Sequence, residues 1–320
     1  MSAKPKVSVC ITNYNYGSFL KTLVPTLLKQ SFEDFELVIN DNCSTDGSAG
    51  IVGAFKDERV RFAANERNLG MTGNWNAALS RARGELIWQL NADDTIGSDR
   101  FIEHMLQAME AEKADVVCCD TEVHYAATDK RIRRVPLGLG RGRAISGREA
   151  FSRVCNRPIC MPMIGSYIMK NRGLRLDESI ANSDVEFGVR LMLQEGIRYA
   201  YCPEEKFVFR IHGTNTGQGF AAYNRPKWVA QIEDIAEKIP ERIRHYPGCG
   251  EEEARRFKLS HLPYLVYGAD KPPRIGAREW GRNMKFLLSR YGVGELAGGV
   301  PGFARALAYL VLKPEQKKSE

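Results

Sequence analysis

The first ninety residues alternate between short β-rich runs and stretches with helical spacing, and that alternation leaves few folds open. Val7-Ser8-Val9-Cys10-Ile11-Thr12 reads as a strand, after which Phe19, Leu20, Leu23, Leu27 and Leu28 recur at helical intervals up to Gln30. A second strand at 35–40 precedes a helix from about Asp46 to Phe55, capped by Ser44 or Thr45, and Val60-Arg61-Phe62 is a short third strand. Asn68-Leu69-Gly70 turns into a helix from about Thr72 to Ala82, stopped by Gly84, and 86–90 forms the next strand. Strands separated by helices predict an α/β fold, with a mostly parallel sheet and helices on both faces.

Two of these strands run into acidic turns. The strand at 35–40 leads into Asp41-Asn42-Cys43-Ser44-Thr45-Asp46-Gly47, and the one at 86–90 into Asn91-Ala92-Asp93-Asp94. Carboxylates just past the carboxyl ends of parallel strands sit where open α/β sheets bind ligands. Adjacent aspartates raise each other's pKa, and a divalent cation relieves the repulsion. Mg2+ or Mn2+ prefers carboxylate oxygens completed by substrate phosphates, so the pattern points to a metal-bridged diphosphate site. The same Asp93-Asp94 pair, ahead of Ser98-Asp99-Arg100, is also N-cap material for a helix beginning near Phe101. Both readings stand at this level.

Further on, the pattern gives a helix at 100–112, a strand at 116–119 and a hairpin pairing 122–125 with 132–135. Leu137-Gly138-Leu139-Gly140-Arg141-Gly142-Arg143 has a partial G-x-G but no preceding parallel strand, which excludes a dinucleotide fingerprint. Ser146 and Glu149 have capping-box spacing. A strand at 164–169, a helix at 184–193 ended by Gly196, and late strands at 199–201 and 206–211 follow. Beyond about Tyr223 the pattern is mostly helical, so the expected division is a catalytic domain over 1–222 and a helical C-terminal extension over 223–320.

Composition narrows the class. With 43% hydrophobic and 27% charged residues, the chain is an ordinary globular one. Its eight cysteines show no C-x-x-C or zinc spacing, which fits a reduced, cytoplasmic setting. Met1-Ser2-Ala3-Lys4-Pro5-Lys6 runs straight into a strand, so no signal peptide is expected, and no apolar run reaches the length of a membrane span. From Arg225 onward 18 Lys and Arg face 12 Asp and Glu, but no nucleic-acid-binding motif accompanies them. Peripheral contact with an anionic membrane face is compatible with that charge.

The ordered motifs together resemble the family 2 glycosyltransferases, inverting enzymes of the GT-A fold. The resemblance runs from Val7 to about Thr216 and rests on the first strand with Asn13-Tyr14-Asn15, the Asp41–Gly47 turn, Asn68-Leu69-Gly70, Asn76-Ala77-Ala78, Arg83-Gly84-Glu85 and Asn91-Ala92-Asp93-Asp94. It implies a nucleotide-binding half over 1–95 and an acceptor-side half over 96–222. It implies that Thr12, Tyr14, Asn15, Asp41, Asn68, Asn76, Asn91 and Asp93 bind the donor. Tyr14 would stack on the base, and Asp41 would accept from an imide N–H, as uracil or thymine offers. Asp93 and Asp94 would hold Mn2+ or Mg2+, with His212 of Arg210-Ile211-His212 as a third ligand or diphosphate contact. Asn91 departs from the family's acidic pattern, since an amide adds no charge to a metal site.

An inverting transfer needs a general base for the acceptor hydroxyl. In Asn182-Ser183-Asp184-Val185-Glu186 the resemblance places that base at Asp184, with Glu186 as the fallback. The alternative is that Asp184 merely caps or neutralises the positive end of its helix. The implied activity moves a sugar from a UDP- or dTDP-sugar to a hydroxyl of a glycan or lipid-linked glycan. A non-catalytic nucleotide-sugar or glycan binder and a sugar-nucleotide pyrophosphorylase are the alternatives. Arg131, Arg133, Arg134, Arg141 and Arg143 could meet an acceptor phosphate or form a solvated loop. The apolar stretch 296–312 could lie in a membrane interface or pack on the catalytic domain. Trp75 and Trp88 read as core residues.

Overall fold

The computed structural model describes residues 4–140, 142–157, 161–213, 230–231, 233–267 and 289–290. Two compact units emerge, one of Met1–Arg153 with Cys160–Asn215, the other of Val154–Ile159 with Thr216–Glu320.

The strands of the first unit are β1 (Val7–Asn13), β2 (Phe35–Asp41), β3 (Val60–Ala64), β4 (Leu86–Asn91) and β5 (Thr95–Ile96). They continue as β6 (Val116–Tyr125), β7 (Lys130–Arg134), β8 (Ile145–Ser146), β9 (Tyr167–Lys170) and β10 (Arg198–Ile211). Their order is β3-β2-β1-β4-β9-β6-β10-β5, with β7 on β6 and β8 on β10. β1 to β4 are mutually parallel, β6 and β10 are parallel, and β9 runs against both of its neighbours.

Every residue of β1 and β2 is buried, as a strand covered on both faces requires. Val7, Val9 and Ile11 share a core with α1 (Gly17–Leu28), α2 (Ser48–Gly53) and α4 (Phe101–Ala111). The alternate residues face α3 (Gly70–Arg81), where Cys10 Sγ lies 3.9 Å from the Ala78 carbonyl. Trp88 is core, as expected: it stacks on Phe101 with centroids 4.6 Å apart and donates its indole N–H to Gly165 O at 2.8 Å.

Arg83-Gly84-Glu85 serves the amino-terminal edge of the sheet. Buried Glu36 accepts from Ser8 Oγ at 2.6 Å, Arg61 Nη1 at 2.6 Å and Arg83 Nε at 2.9 Å. A Cβ on Gly84 would sit 2.5 Å from the Ser8 backbone nitrogen, so only glycine lets the chain pass there.

Several boundaries differ from the pattern. The two late strands form one, β10, because a bulge between Cys202 and Lys206 absorbs Pro203-Glu204-Glu205 without breaking the pairing with β6. The strand at 116–119 likewise runs on into the hairpin as β6. β9 starts at Tyr167, since Ser166 turns back on Met163 through N–H and Oγ bonds of 2.9 and 2.7 Å. α2 takes Asp46, not Ser44 or Thr45, at its start: Asp46 Oδ1 accepts the Ser48 N–H at 3.1 Å. At α5 (Gly147–Asn156) the capping bond is made, Glu149 N–H donating to Ser146 Oγ at 3.2 Å.

In the second unit a π-helical turn (Asp234–Lys238) continues into α7 (Ile239–Arg244), followed by α8 (Glu251–Tyr267). Ile235, Ile239, Ile243, Ala254 and Phe257 are buried in it, with Val154 and Cys155. Residue 141 and the stretch 296–312 lie outside the described residues.

Candidate functional site

Parallel register brings three strand ends together. Thr12 stands opposite both Asn40 and Asn91, and Asn13 opposite Asp41, so the loops after β1, β2 and β4 open on the carboxyl edge of the sheet. That edge is where ligands of such sheets bind.

The first group organises the β1 and β2 loops. Asp41 is 4% exposed and accepts from Asn13 Nδ2 at 2.6 Å, Ser44 Oγ at 2.6 Å and Ser44 N–H at 2.8 Å. A carboxylate has about four acceptor sites, which leaves Asp41 one more. Asn15 takes a left-handed φ of 56° and accepts the Thr45 N–H at 2.8 Å, tying the two loops together. Tyr14, on the same loop, is 46% exposed.

A belt of amides underlies these loops. Asn40 Nδ2 donates to Asn74 Oδ1 at 2.7 Å and Asn65 Oδ1 at 3.1 Å, and Asn74 Nδ2 to Asn13 O at 3.3 Å. Asn42 bonds Asn68 Oδ1 at 2.9 Å and accepts from Asn65 Nδ2 at 3.0 Å and Leu69 N–H at 2.9 Å. Asn68 therefore shapes the loop into α3. Asn76, expected at the donor, is occupied elsewhere: its Nδ2 donates to Leu176 O at 2.9 Å and Glu178 Oε1 at 3.0 Å, and its Oδ1 accepts Leu176 N–H at 2.8 Å. It tethers the segment before α6 (Ser183–Met192).

The second group is the turn after β4. Asp94 Oδ2 accepts the Asn91 N–H at 2.7 Å, while Asp94 Oδ1 is buried without a hydrogen-bond partner. Burial, then the neighbouring Asp93 carboxylate, hold the Asp94 carboxyl well above the ordinary range; Asn91 and the Arg210 charge pull only part of the way back. Neither aspartate caps α4. The Ile102 N–H near its start goes to Gln30 Oε1 at 3.0 Å, so the capping reading falls. Asn91 Oδ1 accepts from Thr12 Oγ1 at 3.0 Å and from the Trp75 indole at 2.9 Å.

β5 follows this turn directly and pairs with β10, Thr95 opposite Val208, which brings the end of β10 over the aspartates. Arg210 Nη2 donates to Thr95 Oγ1 at 3.0 Å, and His212 Nε2 lies 3.0 Å from Asp93 Oδ2. Tyr16 and Phe19 of the β1 side flank the His212 ring at 5.5 and 4.8 Å.

Two carboxylates in one turn, one with an orphaned buried oxygen, fit a divalent cation held by one or two carboxylates and completed by a diphosphate. A full cage is another matter. Among the described residues no three His, Cys, Asp or Glu side chains converge to hold a metal, and His212, expected as a third ligand, is a hydrogen-bond partner of Asp93.

Asp184 is the second residue of α6, whose N-cap position is Asn182. Asp184 is an exposed residue, and the protein packed around its carboxyl raises its pKa above the usual range, while the amides of Val185 and Asp184 itself pull it down. One helical turn of α3 spans the two regions, Thr72 Oγ1 meeting Ser183 Oγ at 2.9 Å and Trp75 meeting Asn91. Glu186 is buried and bound by Arg190 through Nε at 3.0 Å and Nη2 at 3.1 Å, which occupies the fallback base. Of the arginines near the hairpin, Arg131 pairs with Glu122 at 2.7 Å, Arg133 with Asp120 and Arg143 with Glu149 at 3.7 Å.

Sequence reasoning missed the amide belt and the Trp75–Asn91 bond. A clustering of asparagine at the ends of β1 and β2 and the start of α3 was the available signal.

Comparison with solved structures identifies the fold. TarS of S. aureus (residues 1–349, in complex with UDP-GlcNAc) superposes with a TM-score of 0.65 at 17% identity, over 94% of this chain and 83% of that one. The mannosyltransferase PcManGT from Pyrobaculum calidifontis, in complex with GDP-Man and Mn2+, gives 0.57 at 15% identity, over 97% and 81%. The fold is thus the GT-A fold. The sequence model of glycosyl transferase family 2 matches residues 8–169, half of the chain, and the chain belongs to that family. The succinoglycan biosynthesis protein ExoO of Rhizobium meliloti is 26% identical over 265 residues, 79% of this chain and 76% of that protein. Glycosyltransferase GlyG of Streptococcus pneumoniae is 35% identical over 113 residues, 35% of this chain and 37% of that protein.

Proposed function

We propose that this family 2 glycosyltransferase is an inverting enzyme. It moves a hexosyl or N-acetylhexosaminyl group from a UDP- or dTDP-sugar to a hydroxyl of a glycan or lipid-linked glycan in polysaccharide biosynthesis. The observation that carries the reading is the placement of Asp184, an exposed carboxylate of raised pKa next to Ser183, which meets Thr72 one turn of α3 from the Trp75–Asn91 bond at the acidic turn.

In this reading Asp184 takes the proton of the acceptor hydroxyl as its oxygen attacks the anomeric carbon. The diphosphate leaves from the opposite face, which inverts the centre. Tyr14 offers an exposed ring to the base, and Asp41 has one acceptor site left for an imide N–H. Asn13, Ser44 and Asn15 hold both loops in place. Asp93 and Asp94 would hold the divalent cation, which when bound supplies Lewis-acid stabilisation of the departing diphosphate. Arg210 adds positive charge on the same side. The cytoplasm is the proposed setting, with the basic region beyond Arg225 offering contact to an anionic membrane face. Among the described residues no helix is long and apolar enough to cross a membrane.

The test is a nucleotide-release screen over sugar donors, with Mn2+ or Mg2+ and with excess EDTA. UDP or dTDP release should appear with one donor, vanish with EDTA and vanish in Asp94→Ala, while thermal melting shows that variant folded. Full turnover in EDTA overturns the metal, and release of GDP alone overturns the pyrimidine donor.

A further inference from the structure

Trp75 is buried, yet its one polar atom is not left to the core. The indole N–H donates to Asn91 Oδ1 at 2.9 Å, and the Thr12 hydroxyl donates to the same oxygen at 3.0 Å. An indole nitrogen can only donate, so the atom it meets must be the amide oxygen and not the amide nitrogen. Orientation of an Asn side chain is usually ambiguous; here the chemistry of Trp75 fixes it. With the oxygen held by two donors, the NH2 group points to the opposite side of the Cβ–Cγ axis, away from Trp75 and Thr12. The backbone N–H of the same residue already meets the Asp94 carboxylate, 2.7 Å from Oδ2.

We propose that Trp75 is a positioning residue for the nucleotide-sugar site: with Thr12 it locks the Asn91 amide so that position 91 presents a neutral hydrogen-bond donor to the acidic turn and to oxygens of the bound nucleotide diphosphate. The proposal rests on the nucleotide-sugar reading of that site. It assigns a role to the residue that takes the place of a third carboxylate. A carboxylate at 91 would accept the Trp75 and Thr12 bonds equally well, but would turn a second anionic oxygen to Asp94 and to phosphate. An unlocked amide would be free to turn its oxygen to the carboxylates.

A double-mutant cycle tests this, read by calorimetric binding of UDP with and without Mn2+. Trp75→Phe removes the N–H and should weaken UDP binding about three- to tenfold, the worth of one neutral hydrogen bond. Against Asn91→Ala, the same Trp75→Phe change should shift the UDP Kd less than about twofold, because the group it positions is gone. Thr12→Val, run through the same cycle with Asn91→Ala, gives a second measurement should Trp75→Phe fold poorly. Asn91→Asp should weaken UDP binding without metal and strengthen Mn2+ binding. Equal losses for Trp75→Phe in both backgrounds would make Trp75 a packing residue and overturn the proposal alone. Wild-type protein that binds none of UDP, dTDP or GDP overturns the nucleotide-sugar reading and this inference with it.

Discussion

Asp184 has two occupations that one substitution separates. It stands near the positive end of α6, and it is the exposed carboxylate proposed as base. Asn tolerates a helix start about as well as Asp, so Asp184→Asn should keep melting temperature and UDP affinity. The transfer rate should fall by about 10²–10⁴-fold, and a rate within a few-fold of wild type would remove Asp184 from catalysis. The pH dependence has a definite sign. Burial raises this carboxyl, so its base form is lost as pH falls through a value above that of an ordinary aspartate. The acidic limb of kcat/KM should therefore be displaced upward, and Asp184→Asn should lack it. The candidate was legible from its motif. That Arg190 holds Glu186 was not, because only the folded helix shows the two closing on each other one turn apart. The amide belt was hidden for a related reason. Asn40 meets Asn74 and Asn42 meets Asn68 across 34 and 26 residues of chain, and no local pattern records such pairings.

Elements are joined at this scale by single small residues. Gly84 enters β4 with no room for a side chain, its Cβ position lying 2.5 Å from Ser8 N and 2.9 Å from Leu86 O, both backbone atoms. Gly84→Ala should cost about 1–3 kcal/mol or more, since neither neighbour can move without disturbing a central strand. Gly50, inside α2 with nothing within 4 Å of its Cβ position, is the control. Gly50→Ala should stabilise by about 0.4–1 kcal/mol through the entropy of the unfolded chain. Urea denaturation of both variants decides, and a silent Gly84→Ala would remove the close approach from this account. The element order was readable from periodicity, whereas the fusion of two late strands into β10 was not. Pro203-Glu204-Glu205 reads locally as a break, and the bulge that carries the chain past it depends on the partner β6.

At the scale of the whole molecule, the second unit carries a group that makes stability fall in acid. In the second unit His261 is buried against Phe257, centroids 4.0 Å apart, and burial depresses its pKa to about 4 from 6.5, against the pull of the Phe257 carbonyl. The folded form thus stays neutral where the unfolded form has taken a proton. Stability should be unaffected by this group above about pH 6.5 and fall by about 3 kcal/mol in total as pH drops to about 4, then level off. His261→Gln should lose that contribution while keeping a donor for the carbonyl. Identical pH slopes of unfolding free energy for the two proteins would contradict it.

The sequence by itself determined the α/β class, the parallel alternation of the first ninety residues and the positions of the acidic turns. These follow from side-chain periodicity and from residue types with few alternative uses, and both are local. The tertiary structure alone decided which meaning each residue has. Whether Asp93 and Asp94 cap α4 turned on Gln30, 72 residues before Ile102, taking up that helix's N–H. Whether His212 reaches the aspartates turned on β5 pairing with β10 more than a hundred residues later. Whether Asn91 donates or accepts turned on the indole of Trp75, which periodicity had placed in the core. Hydrogen bonds depend on direction and on what else is near, and nearness across a sheet is a property of the folded chain.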